Sequence, residues 1–181
     1  MSSVVQVTLH ASQFPEQVRA DLLRSLQVRQ INHKFHYDSI KQTQKWLELH
    51  EAYAPSRNDP DCEATYLNAF QRACEGSPGT WANLVGLGCG GGQKDTVLLR
   101  LLRQRAAGVC YTPCDVSVAM VLTARQAAMK ALPDLTCYPL VCDLATAGDL
   151  TDTLANLAVP AGGRSSNDRR RTADRHPATR E

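Results

Sequence analysis

Five glycines fall within seven residues in the stretch LVGLGCGGGQKD, residues 84–95. They are Gly86, Gly88, Gly90, Gly91 and Gly92, followed at once by Gln93, Lys94 and Asp95. Glycine costs backbone entropy in an ordered segment, so such a cluster marks a place that needs positive φ or a close approach to the main chain. An apolar run, WANLVGL, leads into the glycines, and an amphipathic run, DTVLLRLLRQRA, leads out. A glycine turn between a strand and a helix offers free N–H groups that take ligand oxygens. In a doubly wound sheet it lies where nucleotide-like ligands bind. Two carboxylates follow at strand ends, Asp115 after VCYTPC and Asp143 after LTCYPLVC. An acid ending the second strand suits hydrogen bonds to ribose hydroxyls, although Asp115 stands further from Gly86 than the roughly 20 residues usual in dinucleotide binders.

The spacing discriminates among phosphate and nucleotide loops. A P-loop needs GxxxxGK[ST], and here Asp95 follows the lysine. The GxGxxG spacing is met by Gly86, Gly88 and Gly91, so a nicotinamide-dependent oxidoreductase stays in view. The histidines His10, His33, His36, His50 and His176 show no metal-ligand spacing, and no Ser-His-Asp or Cys-His arrangement is legible. No metal is assigned, and no catalytic residue can be named.

These groups need a scaffold, and the hydropathy pattern supplies one. VVQVTL (4–9) reads as a strand, and Phe14 to Gln27 as a helix with Pro15 at its start. Ser39 to Tyr53 reads as a second helix and PSRNDPD (55–61) as a loop. Asp61 to Cys74 reads as a third helix that buries Tyr66, Leu67 and Phe70. From Trp81 the order changes to strand, helix, strand, helix, strand, with Ser117 as an N-cap and a further helix from Gly148. That alternation predicts an α/β parallel sheet with crossover helices. The chain divides into a mostly helical segment (1–80), a Rossmann-like unit (81–158) and a basic tail (159–181).

Bulk properties bound the partners. The 181 residues make about one domain. No run is long and apolar enough for a membrane span, and the N-terminus lacks a signal-peptide pattern, so a cytoplasmic setting is expected. Seven irregularly spaced cysteines fit no secreted disulfide framework and read as buried, reduced hydrophobes. Six of the 20 basic residues but only three of the 18 acidic ones lie after Pro160, so the rest of the chain is close to neutral. An RRR run without aromatics supports only non-specific attraction to nucleic acid.

LVGLGCGGGQKDTVLL, then YTPCDVSVAM, then YPLVCDL, resembles the S-adenosylmethionine (SAM) site of the class I methyltransferases. Within that class the chain most resembles the histidine-specific family. The upstream segments FHYDSIKQTQKW (35–46) and EAYAPSR (51–57) carry the finer likeness, which covers Asn32 to Leu157. The resemblance implies that Gly86, Gly88 and Gly90 approach the methionine part of SAM, with Lys94 near its polar end. It implies that Asp115 holds the ribose, that Asp143 approaches the adenine edge, and that Tyr53 or its neighbours cap the pocket. It also implies a small amino-acid substrate such as histidine. The match is inexact: Lys94-Asp95 stands where the family has Lys-Thr, and Ala54 interrupts a tyrosine pair.

Only three sheet strands are visible after residue 80, and residues 161–181 hold no Leu, Ile, Val, Phe, Met, Tyr or Trp. The expectation is a truncated chain with a disordered tail and an open edge at the third strand.

Overall fold

The computed structural model describes residues 4–37, 39–75, 79 and 81–157. The basic tail, and the disorder and truncation expected of it, lie outside the described residues. Strand β1 is Thr8–Leu9, shorter than the 4–9 run suggested, with Val4 outside it and exposed. Helix α1 (Pro15–Val28) starts on a proline, whose fixed φ suits a first turn. Helix α2 (Ile40–Tyr53) is closed at its start by a capping box, in which Ser39 Oγ accepts from Gln42 N–H and the Gln42 side chain accepts from Ser39 N–H.

The stretch expected to be a loop at 55–61 is helical instead: α3 (Pro55–Asn58) and α4 (Pro60–Glu75). Its two prolines start helices rather than breaking them. Asp59 Oδ1 accepts from Asp61 N–H at 3.0 Å, the bond a helix start needs. Helix α4 does not bury Tyr66, Leu67 and Phe70 in a core; Tyr66 and Leu67 are exposed and all three face a cavity.

The remaining elements are β2 (Trp81–Leu87), α5 (Gln93–Arg103), β3 (Gly108–Asp115), α6 (Val118–Ala131), β4 (Thr136–Cys137), β5 (Leu140–Val141) and α7 (Leu150–Leu157). All pairings are parallel, in the order β1-β5-β3-β2, with β4 also against β3. The architecture is α/β and Rossmann-like, with a helical N-terminal segment. The single third strand expected from LTCYPLVCD is broken at Pro139, which has no N–H to give to a ladder.

Strand β3 is central and buried from Gly108 to Cys114. Its side chains alternate between faces. Val109 and Tyr111 meet Leu99 of α5, Ala128 of α6 and Leu135. Cys114 points the other way, into a cluster with Leu140 and Cys142 against Ala147 and α7. The edge expected at the third strand is closed in part: its β5 half is paired on both sides, by β3 and by β1, whereas its β4 half and β2 each pair only with β3 among the described residues.

Candidate functional site

The loop from β2 to α5 turns through three left-handed glycines, Gly88 (φ 65°), Gly90 (φ 51°) and Gly92 (φ 74°). At Gly92 a side chain is excluded twice over. The φ is positive, and a Cβ would lie 2.7 Å from the Cα of Ala124 on α6. At Gly86 the reason is close approach: a Cβ would fall onto the Asp95 carboxylate. That carboxylate accepts a 2.6 Å hydrogen bond from the Tyr111 hydroxyl. Burial pushes the pKa of Asp95 up, against the lowering effect of the Tyr111 bond and of Lys94.

Asp115 organises the loop. Its Oδ2 accepts from Gly90 N–H and its Oδ1 from Ser117 N–H, each at 3.1 Å. A carboxylate has about four acceptor sites, so capacity is left for ligand hydroxyls. Cys89 N–H also donates to Cys114 O at 3.0 Å, pinning the loop to the end of β3. Ser117 caps α6 and shares a 3.1 Å hydrogen bond with Thr43, which fixes α2 beside the loop.

Two cavities border the glycine loop. The larger, about 680 Å³, lies against α2, α4 and the loop, and Lys94, Asp95 and Glu63 face it. The Lys94 ammonium sits 4.0 Å above the Tyr66 ring, a cation–π contact. The smaller, about 230 Å³, is lined by Asp115, Val116, Met120 and Leu144 among others. Gly88, Gly90 and Trp46 line both, so the two cavities meet there. A Cβ on Gly88 would enter open space, and one on Gly90 would touch the Trp46 ring at 3.4 Å. Trp46 stacks on His50, with ring centroids 4.9 Å apart and planes 18° apart.

The fold therefore brings Gly88, Gly90, Lys94 and Asp115 to one crevice and leaves three other sequence candidates out of it. Gly86 is buried under Asp95 and lines neither cavity. Tyr53 is the last residue of α2 and 76% exposed, and does not line the crevice, which the helix meets at Trp46, His50 and Glu51. Asp143 is 0% exposed and sits behind Cys142 and Leu144, which do line the smaller cavity. Its Oδ1 accepts from Ala145 N–H, and its Oδ2 lies 3.7 Å from Lys34 Nζ without a hydrogen bond of its own. Lys34 is buried too, and donates to Asp21 at 2.5 Å. That bond is the main cause holding the Asp21 carboxyl below its ordinary pKa.

Trp46 and His50 carry no site role in the sequence reading, and Tyr66 is read there as core. The available signal was the i, i+4 spacing of Trp46 and His50, which puts both on one helix face. The fold also assembles a constellation that the sequence hid. His10 shares hydrogen bonds with Ser12 Oγ at 2.9 Å and Asp149 Oδ1 at 2.8 Å. Ser12 is buried, accepts from Asp143 N–H and lines none of the described cavities, so this group ties β1 down rather than attacking a substrate. All seven cysteines are free. Burial pushes the Cys114 thiol up to about 12, which suits a packing role. Among the described residues no group of three or more His, Cys, Asp or Glu is placed to hold a metal ion, and no helix is long and apolar enough to cross a membrane.

The model of the histidine-specific, SAM-dependent methyltransferases matches residues 15–176. No curated protein matches the chain at a significant level. The family match gives the nicotinamide reading no support.

Proposed function

We propose a function from one premise: the chain belongs to the histidine-specific, SAM-dependent methyltransferase family. It is a SAM-dependent methyltransferase, and the acceptor we assign is an amino-acid amine, with histidine the leading candidate. The observation that carries the site assignment is the meeting of two cavities at Gly88, Gly90 and Trp46.

The donor set fits the cofactor. The Asp115 carboxylate supplies acceptors for the ribose diol, and Val116, Met120 and Leu144 supply apolar surface for an adenine ring. Lys94, in the larger cavity, supplies a cation for the amino-acid carboxylate of the cofactor. The cofactor, when bound, supplies an electrophilic methyl on a sulfonium. The protein's share is then alignment and the exclusion of competing geometries. The Gly90–Asp115–Ser117 hydrogen bonds set the loop before any ligand arrives.

Calorimetric titration tests this reading, with SAM as ligand and NAD as control. The expected result is saturable SAM binding, absent for NAD and weakened about tenfold by Asp115→Asn, the loss of roughly one charge-assisted hydrogen bond. Preference for NAD, or no binding of either, overturns it. Incubation with SAM and L-histidine, read by mass for a one-methyl gain, tests the acceptor.

A further inference from the structure

His50 offers a chemical group that the cofactor site does not use. Its ring plane is set by the stack on Trp46, and Trp46 stands where the two cavities meet. Among the described residues, neither ring nitrogen makes a hydrogen bond. The ring is half-buried and borders the larger cavity together with Lys94 and Glu63. His33, the other histidine of the crevice, borders only the smaller cavity, on the Asp115 side. With Asp115 in one cavity and Lys94 in the other, a ligand spanning both has its middle beside Trp46 and Gly88. His50 lies on the Lys94 side of that midpoint.

We infer that His50 is the group that takes the proton from the methyl acceptor's ammonium. This rests on the proposed cofactor site. An acceptor amine reaches neutral water as R–NH3+, which has no lone pair to donate. An imidazole nitrogen held within hydrogen-bond reach accepts one proton and leaves R–NH2. The nitrogen lone pair then forms the N–C bond while the C–S electron pair returns to sulfur, giving R–NH2+–CH3 and a thioether. His50 passes its proton to water. The stack restricts the imidazole to one plane, so less orientation is lost on binding.

The test uses ligand affinity rather than turnover. Sinefungin carries an amine in place of the methylsulfonium, whereas S-adenosylhomocysteine has neither methyl nor amine there. The two are titrated against the full chain and against His50→Phe, which keeps a ring on Trp46 but removes both nitrogens. A third titration uses His50→Gln, which restores an acceptor without the ring. Thermal unfolding of each variant first establishes that it folds. The expected result is preference for sinefungin over S-adenosylhomocysteine in the natural chain. That preference should fall about tenfold in His50→Phe, with S-adenosylhomocysteine affinity changed by less than about twofold, and recover in part in His50→Gln. If S-adenosylhomocysteine binds but sinefungin has no advantage, or keeps it in His50→Phe, the role of His50 is overturned and the cofactor site stands. If neither ligand binds the natural chain, the cofactor site fails and this inference fails with it.

Discussion

Asp115 and Asp143 follow neighbouring parallel strands, and the sequence treats them alike, yet they belong to two different regions. Asp115 opens on a cavity, and its oxygens are held by two backbone N–H groups of loops. Asp143 is sealed in a seam where the N-terminal segment meets the sheet, between Lys34, Ser12 and the turn at Ala145. The crevice is built from glycines and ring faces and leaves polar capacity free. The seam uses charge and hydrogen bonds to attach α1, β1 and the 3-10 turn at His33–His36 to the sheet. The contrast teaches that an acid at a strand end becomes a ligand group only where no other segment covers it.

Removing the seam's cation should give the largest effect. Lys34→Met leaves Asp21 and Asp143 without their shared partner and should destabilise by about 3–5 kcal/mol, the usual cost of breaking a buried pair. Chemical denaturation measures it; a loss under about 1 kcal/mol removes the seam as a structural device. On the crevice side, Gly92→Ala drives a Cβ against the α6 backbone and should cost about 2–3 kcal/mol by the same assay.

The paired substitutions sharpen the contrast. Asp143→Asn should lower stability by about 1–3 kcal/mol and leave SAM affinity within about twofold. Asp115→Asn should do the reverse, costing about tenfold in affinity with a smaller loss of stability. Equal effects on affinity would mean that the seam opens to admit the ligand.

Acid should weaken the seam. The Lys34 hydrogen bond holds the folded-state pKa of Asp21 below the ordinary aspartate value, so its contribution is present above that ordinary value and is lost as pH falls through the depressed one. Stability curves of the natural chain and Asp21→Asn should therefore converge as the pH falls below about 4, the ordinary aspartate value. The smallest effect is expected at Tyr53. Tyr53→Ala should change stability by less than about 0.5 kcal/mol and leave SAM affinity unchanged, because the side chain is in solvent.

Much of the sheet was legible because its signals are local. WANLVGL, VCYTPCD and the helices between them announce themselves by short apolar runs and by 3.6-residue spacing. Errors arose where one residue type has two uses. Pro55 and Pro60 signal a loop in isolation but each stands in the first turn of a helix, where its fixed φ fits and its missing N–H costs nothing; at Pro60 the Asp59 carboxylate adds a cap. Tyr66 and Leu67 look like core on a helical stripe, yet line a cavity, because none of the described elements covers that face. Gly86 belongs to the motif, but Asp95 occupies the space that its missing side chain leaves.

By itself the sequence determined the α/β order, the glycine turn between β2 and α5, and the family, because these depend on spacing along one segment. Only the tertiary structure decided that Asp143 is covered, that Tyr53 is outside, and that Trp46 and His50 stand over the loop. Those outcomes depend on where residues 8–50 dock against the strands that follow residue 80. Contacts across that separation leave no periodic trace in the chain.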